Sequence, residues 1–187
     1  MAKTSSNMVP LGSLAPEFSL PDAVSGKLIT LNTHPSPKAW VIMFLCNHCP
    51  YVHHIIQGLV QLVDDYQKKN ICFIGINAND VSQYPDDSPA HMKTFAAQNH
   101  YHFPYLFDAT QEVAKAYQAA CTPDFYVFDA DKKLIYRGQL DDARPGNNSP
   151  NDGHSIRQAL DAVLNHQSIV GIQKPSLGCN IKWKIED

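Results

Sequence analysis

The sequence of 187 residues lacks the features that tie a protein to a membrane or to nucleic acid. No apolar run approaches the roughly 20 residues that a membrane span needs. A net charge of −3 supplies neither a basic field for phosphates nor an acidic tail. The opening stretch, Met1 to Asn7, is polar and has no apolar core of a secretion signal. There are no repeats and no low-complexity linker. No second Cys-x-x-Cys and no His-x-x-x-His is present, so the paired ligands of a structural zinc site are missing. The expectation is a cytoplasmic protein with no membrane or nucleic-acid partner, in a compartment that keeps thiols reduced.

What is present is an ordinary globular composition, 44% hydrophobic and 18% charged, enough for one domain with a sizeable core. The expected domain spans residues 9–187, with 1–8 flexible and 167–187 forming a C-terminal tail packed on it. Five cysteines, Cys46, Cys49, Cys72, Cys121 and Cys179, are an odd number and argue against a framework of structural disulfides. They are left to be catalytic, metal-binding or simply buried.

Hydrophobic patterning gives the order of elements. Val9 to Asp22 holds three prolines and reads as extended, pairing with Gly26 to Leu31 as an N-terminal hairpin. Trp40 to Leu45 and Ile71 to Ile76 are apolar on both faces, as buried central strands are. Between them Val52, Ile55, Ile56, Leu59, Val63 and Tyr66 recur at helical spacing. Pro89 opens a second helix, Thr110 to Ala119 a third, and Ile156 to Leu164 a fourth. Tyr105 to Phe107 is a short strand, and Asp124 to Phe128 and Leu134 to Arg137 flank a hairpin turn at residues 129–132. Strand–helix–strand crossovers demand parallel strands, and the late hairpin adds antiparallel ones. The fold class is therefore α/β, a mixed central sheet with helices on both faces, an N-terminal hairpin and a C-terminal tail extension.

The chain is organised around Cys46-Asn47-His48-Cys49-Pro50, at the junction of a buried strand and a helix. A cysteine at a helix N-terminus meets the positive end of the helix dipole and unpaired amides, which stabilise a thiolate. Two thiols at this spacing can close a disulfide, attack an electrophile or hold a soft metal. Cys46, His48 and Cys49 are all competent copper or zinc ligands.

This motif, with Cys121-Thr122-Pro123-Asp124 ahead of a later strand, resembles the thioredoxin-like superfamily. Leu11-Gly12-Ser13-Leu14-Ala15-Pro16-Glu17-Phe18 is similar to the opening of its alkyl hydroperoxide reductase/thiol-specific antioxidant (redoxin) branch. Cys46 to Val52, Tyr136 to Asp142, Arg144-Pro145-Gly146-Asn147 and Gly178 to Lys184 resemble a peroxiredoxin-like subgroup. The resemblance implies a thioredoxin-like fold and catalytic Cys46 and Cys49. Cys46 is the expected exposed nucleophile, and Cys49 the thiol that displaces product and closes the Cys46–Cys49 bond. His48 is expected to lower the Cys46 pKa when protonated. Thr122 and Pro123, with Pro123 in cis, would face the cysteines, pair with a substrate strand and exclude metal. Cys121 and Cys179 are candidate further redox thiols, and Cys72 reads as core.

Two departures stand out. Trp40 occupies the position where many thioredoxins carry a buried Asp that relays protons. If Cys49 takes the place of a peroxidatic cysteine, Cys46 stands where the peroxiredoxin Thr would be. The expected activity is a thiol–disulfide oxidoreductase without cofactor or resident metal. Its partners would be protein or small-molecule disulfides, or peroxides, with a thiol reductant such as a thioredoxin or glutathione system. The alternatives are a thiol-dependent peroxidase and, outside enzymes, a copper or zinc carrier.

Overall fold

A computed structural model describes residues 3–185. The chain begins with a strand, β1 (Lys3–Ser5), followed by the hairpin β2 (Ser19–Pro21) and β3 (Leu28–Thr30). The first central strand, β4 (Ala39–Phe44), is buried along its whole length, as its uninterrupted apolar sequence requires. Helix α1 (Pro50–Gln67) follows, with Pro50 at its first turn, where a missing N–H costs nothing. Then come β5 (Ile71–Asn77), a 3-10 turn at Pro85–Asp87, α2 (Pro89–Gln98), β6 (Tyr105–Phe107) and α3 (Glu112–Ala116). The remainder is β7 (Cys121–Thr122), β8 (Asp124–Asp129), β9 (Leu134–Gly138), α4 (His154–Leu164) and β10 (Leu177–Asn180).

The central sheet has the order β6-β5-β4-β8-β9, with β4, β5 and β6 parallel and β8 and β9 antiparallel. This is the mixed sheet expected from the pattern of elements. Val41, Met43, Phe73 and Val127 face α1, α2 and α4 on one side. Trp40, Ile42, Phe44 and Ile74 face α3 and the β2–β3 hairpin on the other. Alternation along each strand thus builds two apolar layers from one sheet. No described helix is long and apolar enough to cross a membrane.

Two expectations change and a third gains detail. Residues 3–5, read as part of a loose N-terminus, form β1, while residues 1–2 lie outside those described. The third helix is shorter than its pattern, because Gln111 and Gln118 sit in the left-handed region at φ 65° and 53° and stop it at both ends. The C-terminal tail, whose last residues 186–187 fall outside the described chain, is not merely laid on the surface. Its β10 is the middle strand of a second sheet, β1-β10-β7, and so reaches the strand that leads into Pro123.

Candidate active site

The loop from Leu45 to Cys49 leaves the end of β4 and turns into α1. Cys49 is the N-cap of that helix, with extended backbone at φ −82° and ψ 121°. The Thr122–Pro123 peptide is cis, as the resemblance implied. It brings both polar groups of Thr122 to the cysteines. Thr122 Oγ1 lies 3.0 Å from Cys46 Sγ, and the Thr122 carbonyl accepts from Cys49 Sγ at 3.2 Å when that sulfur is a thiol. β10 pairs with β7 so that Cys179 stands opposite Thr122. The Cys179 and Cys49 sulfurs are 2.7 Å apart. Five chain segments thus converge on one cluster of three thiols: the β4–α1 loop, α1, β7, the cis-proline and β10.

Exposure contradicts one expectation. Cys46 is not an exposed nucleophile, since its relative exposure is 1%, against 0% for Cys49 and 3% for Cys179. The cover comes from both ends of the site. β10 closes it on one side. On the other, Asn47 and His48 are drawn onto the 3-10 turn at Pro85–Asp87.

That turn supplies a residue the sequence reading passed over. Asp87 is fully buried, and its carboxylate accepts from the Asn47 backbone N–H at 2.6 Å, Asn77 Nδ2 at 3.0 Å and Asn79 Nδ2 at 2.9 Å. His48 Nδ1 meets its other oxygen at 2.5 Å. Its carboxyl is held below the usual range: burial opposes the charge, but hydrogen bonds from His48, Asn47 and Asn79 outweigh it. Asn47 is further fixed by its Nδ2 to Asp86 O at 2.7 Å and by Tyr105 OH to its Oδ1 at 3.1 Å. Tyr84 stacks on the His48 ring at 5.1 Å between centroids. Asp87 lies about forty positions along the chain from the motif, in a polar loop with no periodicity, so only its acidity between Pro85 and Pro89 could have drawn attention.

The electrostatics set the two cysteines apart. Burial pushes the Cys46 thiol well up, and the hydrogen bond it offers Cys49 and the Asp87 charge push it further. His48 does not relieve this, because its ring is committed to Asp87. The Cys49 thiol is lowered to about 5, first by the hydrogen bond from Cys46, then, against the burial penalty, by Cys179 and the backbone amides of Val52 and Cys179. The Val52 amide acts through its field and does not meet hydrogen-bond geometry at the cap. The Thr122 carbonyl is the contact that favours the neutral thiol. Cys179 is raised to about 12 by burial and by its donation to Cys49. Of the three sulfurs, the surroundings favour the thiolate only at Cys49.

The other expected residues fall at different distances from this cluster. Cys121 is buried on β7, its sulfur 3.8 Å from the Pro123 carbonyl, and burial and the Asp124 charge push its thiol up. Cys72 lies on the opposite side of the sheet, beside Trp40, where burial raises its thiol to about 12. Trp40 itself belongs to that second core and touches no part of the thiol cluster. Arg137 makes a two-pronged ion pair with buried Asp124 and lies 3.9 Å over the Tyr126 ring. A metal would look first to Cys46, His48 and Asp87, which can offer three ligand atoms within 4.8 Å of one another. The 2.5 Å bond between His48 and Asp87 would then have to be given up. The roomier clefts are elsewhere, one of about 460 Å³ lying between Trp40, Cys72 and His34.

Known proteins can now be set beside this geometry. Residues 11–137 match the AhpC/TSA family. No curated protein matches the chain. The crystal structure of an uncharacterized conserved protein from Geobacillus kaustophilus is 55% identical, with a TM-score of 0.98 over 100% of this chain and 99% of that one. A hypothetical protein from Sinorhizobium meliloti is 43% identical, with a TM-score of 0.95 over 98% and 100%. The thioredoxin domain of a thiol-disulfide oxidoreductase from Bacteroides vulgatus shares 13% identity and a TM-score of 0.62 over 82% and 99%, a likeness of fold alone.

Proposed function

The chain belongs to the AhpC/TSA family, with a thioredoxin-like fold, and from that premise we propose that it is a thiol–disulfide oxidoreductase in which Cys49 is the attacking sulfur. The observation that carries this reading is the position of Cys49 at the N-cap of α1, with thiols on two sides and its acidity raised toward a pKa of about 5. Its thiolate attacks a disulfide R–S–S–R′. One half leaves as a thiolate that takes up a proton, and the other stays on Cys49 as a mixed disulfide. A neighbouring thiol then attacks the Cys49 sulfur, loses its proton to the second leaving group and closes an intramolecular disulfide. Two electrons have passed to the substrate. A thiol reductant of the thioredoxin or glutathione type reverses the step. Thr122 and Pro123 hold backbone and hydroxyl groups against the reacting sulfurs. Partners of this kind, in a reducing cytoplasm, are part of the proposal.

A second reading, thiol-dependent peroxidase, is favoured by the closure of the site. Sulfurs with 1% and 0% exposure suit an oxidant of two oxygen atoms better than a strand of another protein. The Cys49 thiolate would take one oxygen of hydrogen peroxide to become a sulfenic acid, the other leaving as hydroxide that takes up a solvent proton, and the neighbouring thiol would then displace the sulfenic oxygen as water and close the disulfide.

Two assays on purified protein test these readings. Reduction of insulin by dithiothreitol should be accelerated, and Cys49→Ser should abolish the acceleration. Stopped-flow consumption of hydrogen peroxide separates the peroxidase. A peroxide rate no better than free cysteine, with insulin reduction intact, selects the first reading. Full activity of Cys49→Ser in both assays overturns the assignment.

A further inference from the structure

We propose that the thiol which first closes a disulfide on Cys49 is Cys179, so that oxidation bolts strand β10 to the N-terminus of α1. The inference rests on the role given to Cys49 above and adds the partner that resolves it. A sulfur from outside the motif is in direct contact with that of Cys49. Cys179 Sγ lies 2.7 Å away, closer than two unbonded sulfurs come to rest and not far beyond the roughly 2.05 Å of a disulfide.

This approach is built into the backbone. β10 is held on both edges, Cys179 opposite Lys3 on one side and opposite Thr122 on the other. Gly178 is what lets it lie so close, since a Cβ there would fall 2.0 Å from the Thr122 carbonyl oxygen. Beyond the strand, Ile181 N–H donates to Ala120 O at 3.1 Å and Lys182 N–H to Asn79 Oδ1 at 2.8 Å. The sulfur of Cys179 is thus delivered by a clamped strand, not by a loose tail.

The surroundings distinguish the two rival thiols. Burial and the buried Asp87 charge oppose ionisation of Cys46, and outweigh the Thr122 hydroxyl 3.0 Å away, which favours it. Cys179 has the buried cation of Lys182 in its field, which favours ionisation; Cys49 and Cys121 are its thiol neighbours, the Asp124–Arg137 pair faces Cys121, and Asp87, Tyr101 and Tyr105 face Cys46. While Cys49 is a thiolate, its charge keeps Cys179 protonated. Once Cys49 is neutral in a mixed disulfide, that opposition ends and the Lys182 field remains. Cys179 gives its proton to the first leaving thiolate R′–S⁻ and attacks the Cys49 sulfur of the mixed disulfide; the Cys49–S–S–R bond breaks as Cys49–Cys179 forms, and R–S⁻ leaves and takes up a proton from solvent. Overall, R–S–S–R′, the Cys49 thiolate, the Cys179 thiol and one solvent proton become two small thiols and one protein disulfide. An external dithiol, itself oxidised to a disulfide, restores both.

The test is disulfide mapping. Wild type, Cys46→Ser and Cys179→Ser are exposed to oxidised glutathione, quenched in acid, alkylated while denatured and digested without reductant. The expected result is a peptide pair joined through Cys49 and Cys179 in wild type, persisting in Cys46→Ser. In Cys179→Ser, closure should slow at least tenfold, and glutathione should accumulate on Cys49. Exclusive Cys46–Cys49 linkage in wild type, with only the glutathione adduct in Cys46→Ser, overturns the role of Cys179 and leaves Cys49 as the attacking sulfur. If Cys49 enters no disulfide in any of the three proteins, both proposals fall. The wild-type map decides even if a variant fails to fold.

Discussion

His48 Nδ1 stands 2.5 Å from Asp87 Oδ2, so the imidazole between the two cysteines answers to a carboxylate and not to a thiol. The same carboxylate takes the Asn47 amide at 2.6 Å and both Asn77 and Asn79, and thereby holds the whole cysteine loop against the 3-10 turn. Asp87→Asn puts an amide donor among donors and leaves several buried groups unpaired. The expected loss is about 2–3 kcal/mol of unfolding free energy in urea. Because the Asp87 charge opposes ionisation of Cys46, the variant should also lower the Cys46 pKa. A change below about 0.5 kcal/mol would show that the turn does not hold the loop.

The charge on Cys49 gives a pH signature. Its folded pKa lies below its ordinary thiol value of 9.0, at about 5. Across that window the unfolded chain binds the extra proton, so the stability this group contributes is full above the ordinary value and is lost as pH falls toward 5. Thiolate absorbance at 240 nm should rise as pH increases through about 5 and be absent in that range from Cys49→Ser. Wild type should gain stability relative to Cys49→Ser between pH 5 and 8. In Cys46→Ala, which removes the donor, the midpoint should move upward, because the Cys46 hydrogen bond is the leading cause of the shift. A wild-type absorbance step only near 9 would contradict the assignment of the charge.

Much of the frame that positions these sulfurs was legible, and the reasons are local. Ala39 to Phe44 is apolar on both faces, and Val52 to Tyr66 keeps a helical stripe, so each element declares itself within its own window. What escaped was made by distance. β1 is Lys-Thr-Ser and β7 is two residues long, and neither alternates enough to read as a strand. Both exist because β10 lies between them. Asp87 is likewise invisible from the motif, since its partnership with Asn47 and His48 arises only when the β5–α2 loop folds over the end of β4. The position of Cys179 depends on register and on one glycine, which no periodicity encodes.

That glycine supplies a direct perturbation. Gly178→Ala would set a methyl group 2.0 Å from the Thr122 carbonyl oxygen, so the strand must move away. The expected cost is about 1–3 kcal/mol, typical of an overpacked interior, read as a lower urea midpoint. Unchanged stability would mean that β10 does not press on β7.

Arg137 offers the contrasting case of a buried charge paired away from the Cys49 sulfur. It is fully buried and paired to Asp124 through both terminal nitrogens. Arg137→Met leaves the Asp124 carboxylate uncompensated in the core, an expected loss of about 3–5 kcal/mol. The 240 nm thiolate step of the folded protein should stay in place. A displaced step with little loss of stability would move Arg137 into the thiol site.

The most direct test asks which sulfur reacts first. Two proteins are treated with limiting oxidised glutathione, Cys46→Ser/Cys179→Ser, which keeps Cys49, and Cys49→Ser/Cys179→Ser, which keeps Cys46. The adduct is then located by peptide mass. The account predicts glutathione on Cys49 in the first protein and at least a hundredfold slower labelling of Cys46 in the second. Prompt labelling of Cys46, with Cys49 left untouched, would contradict it.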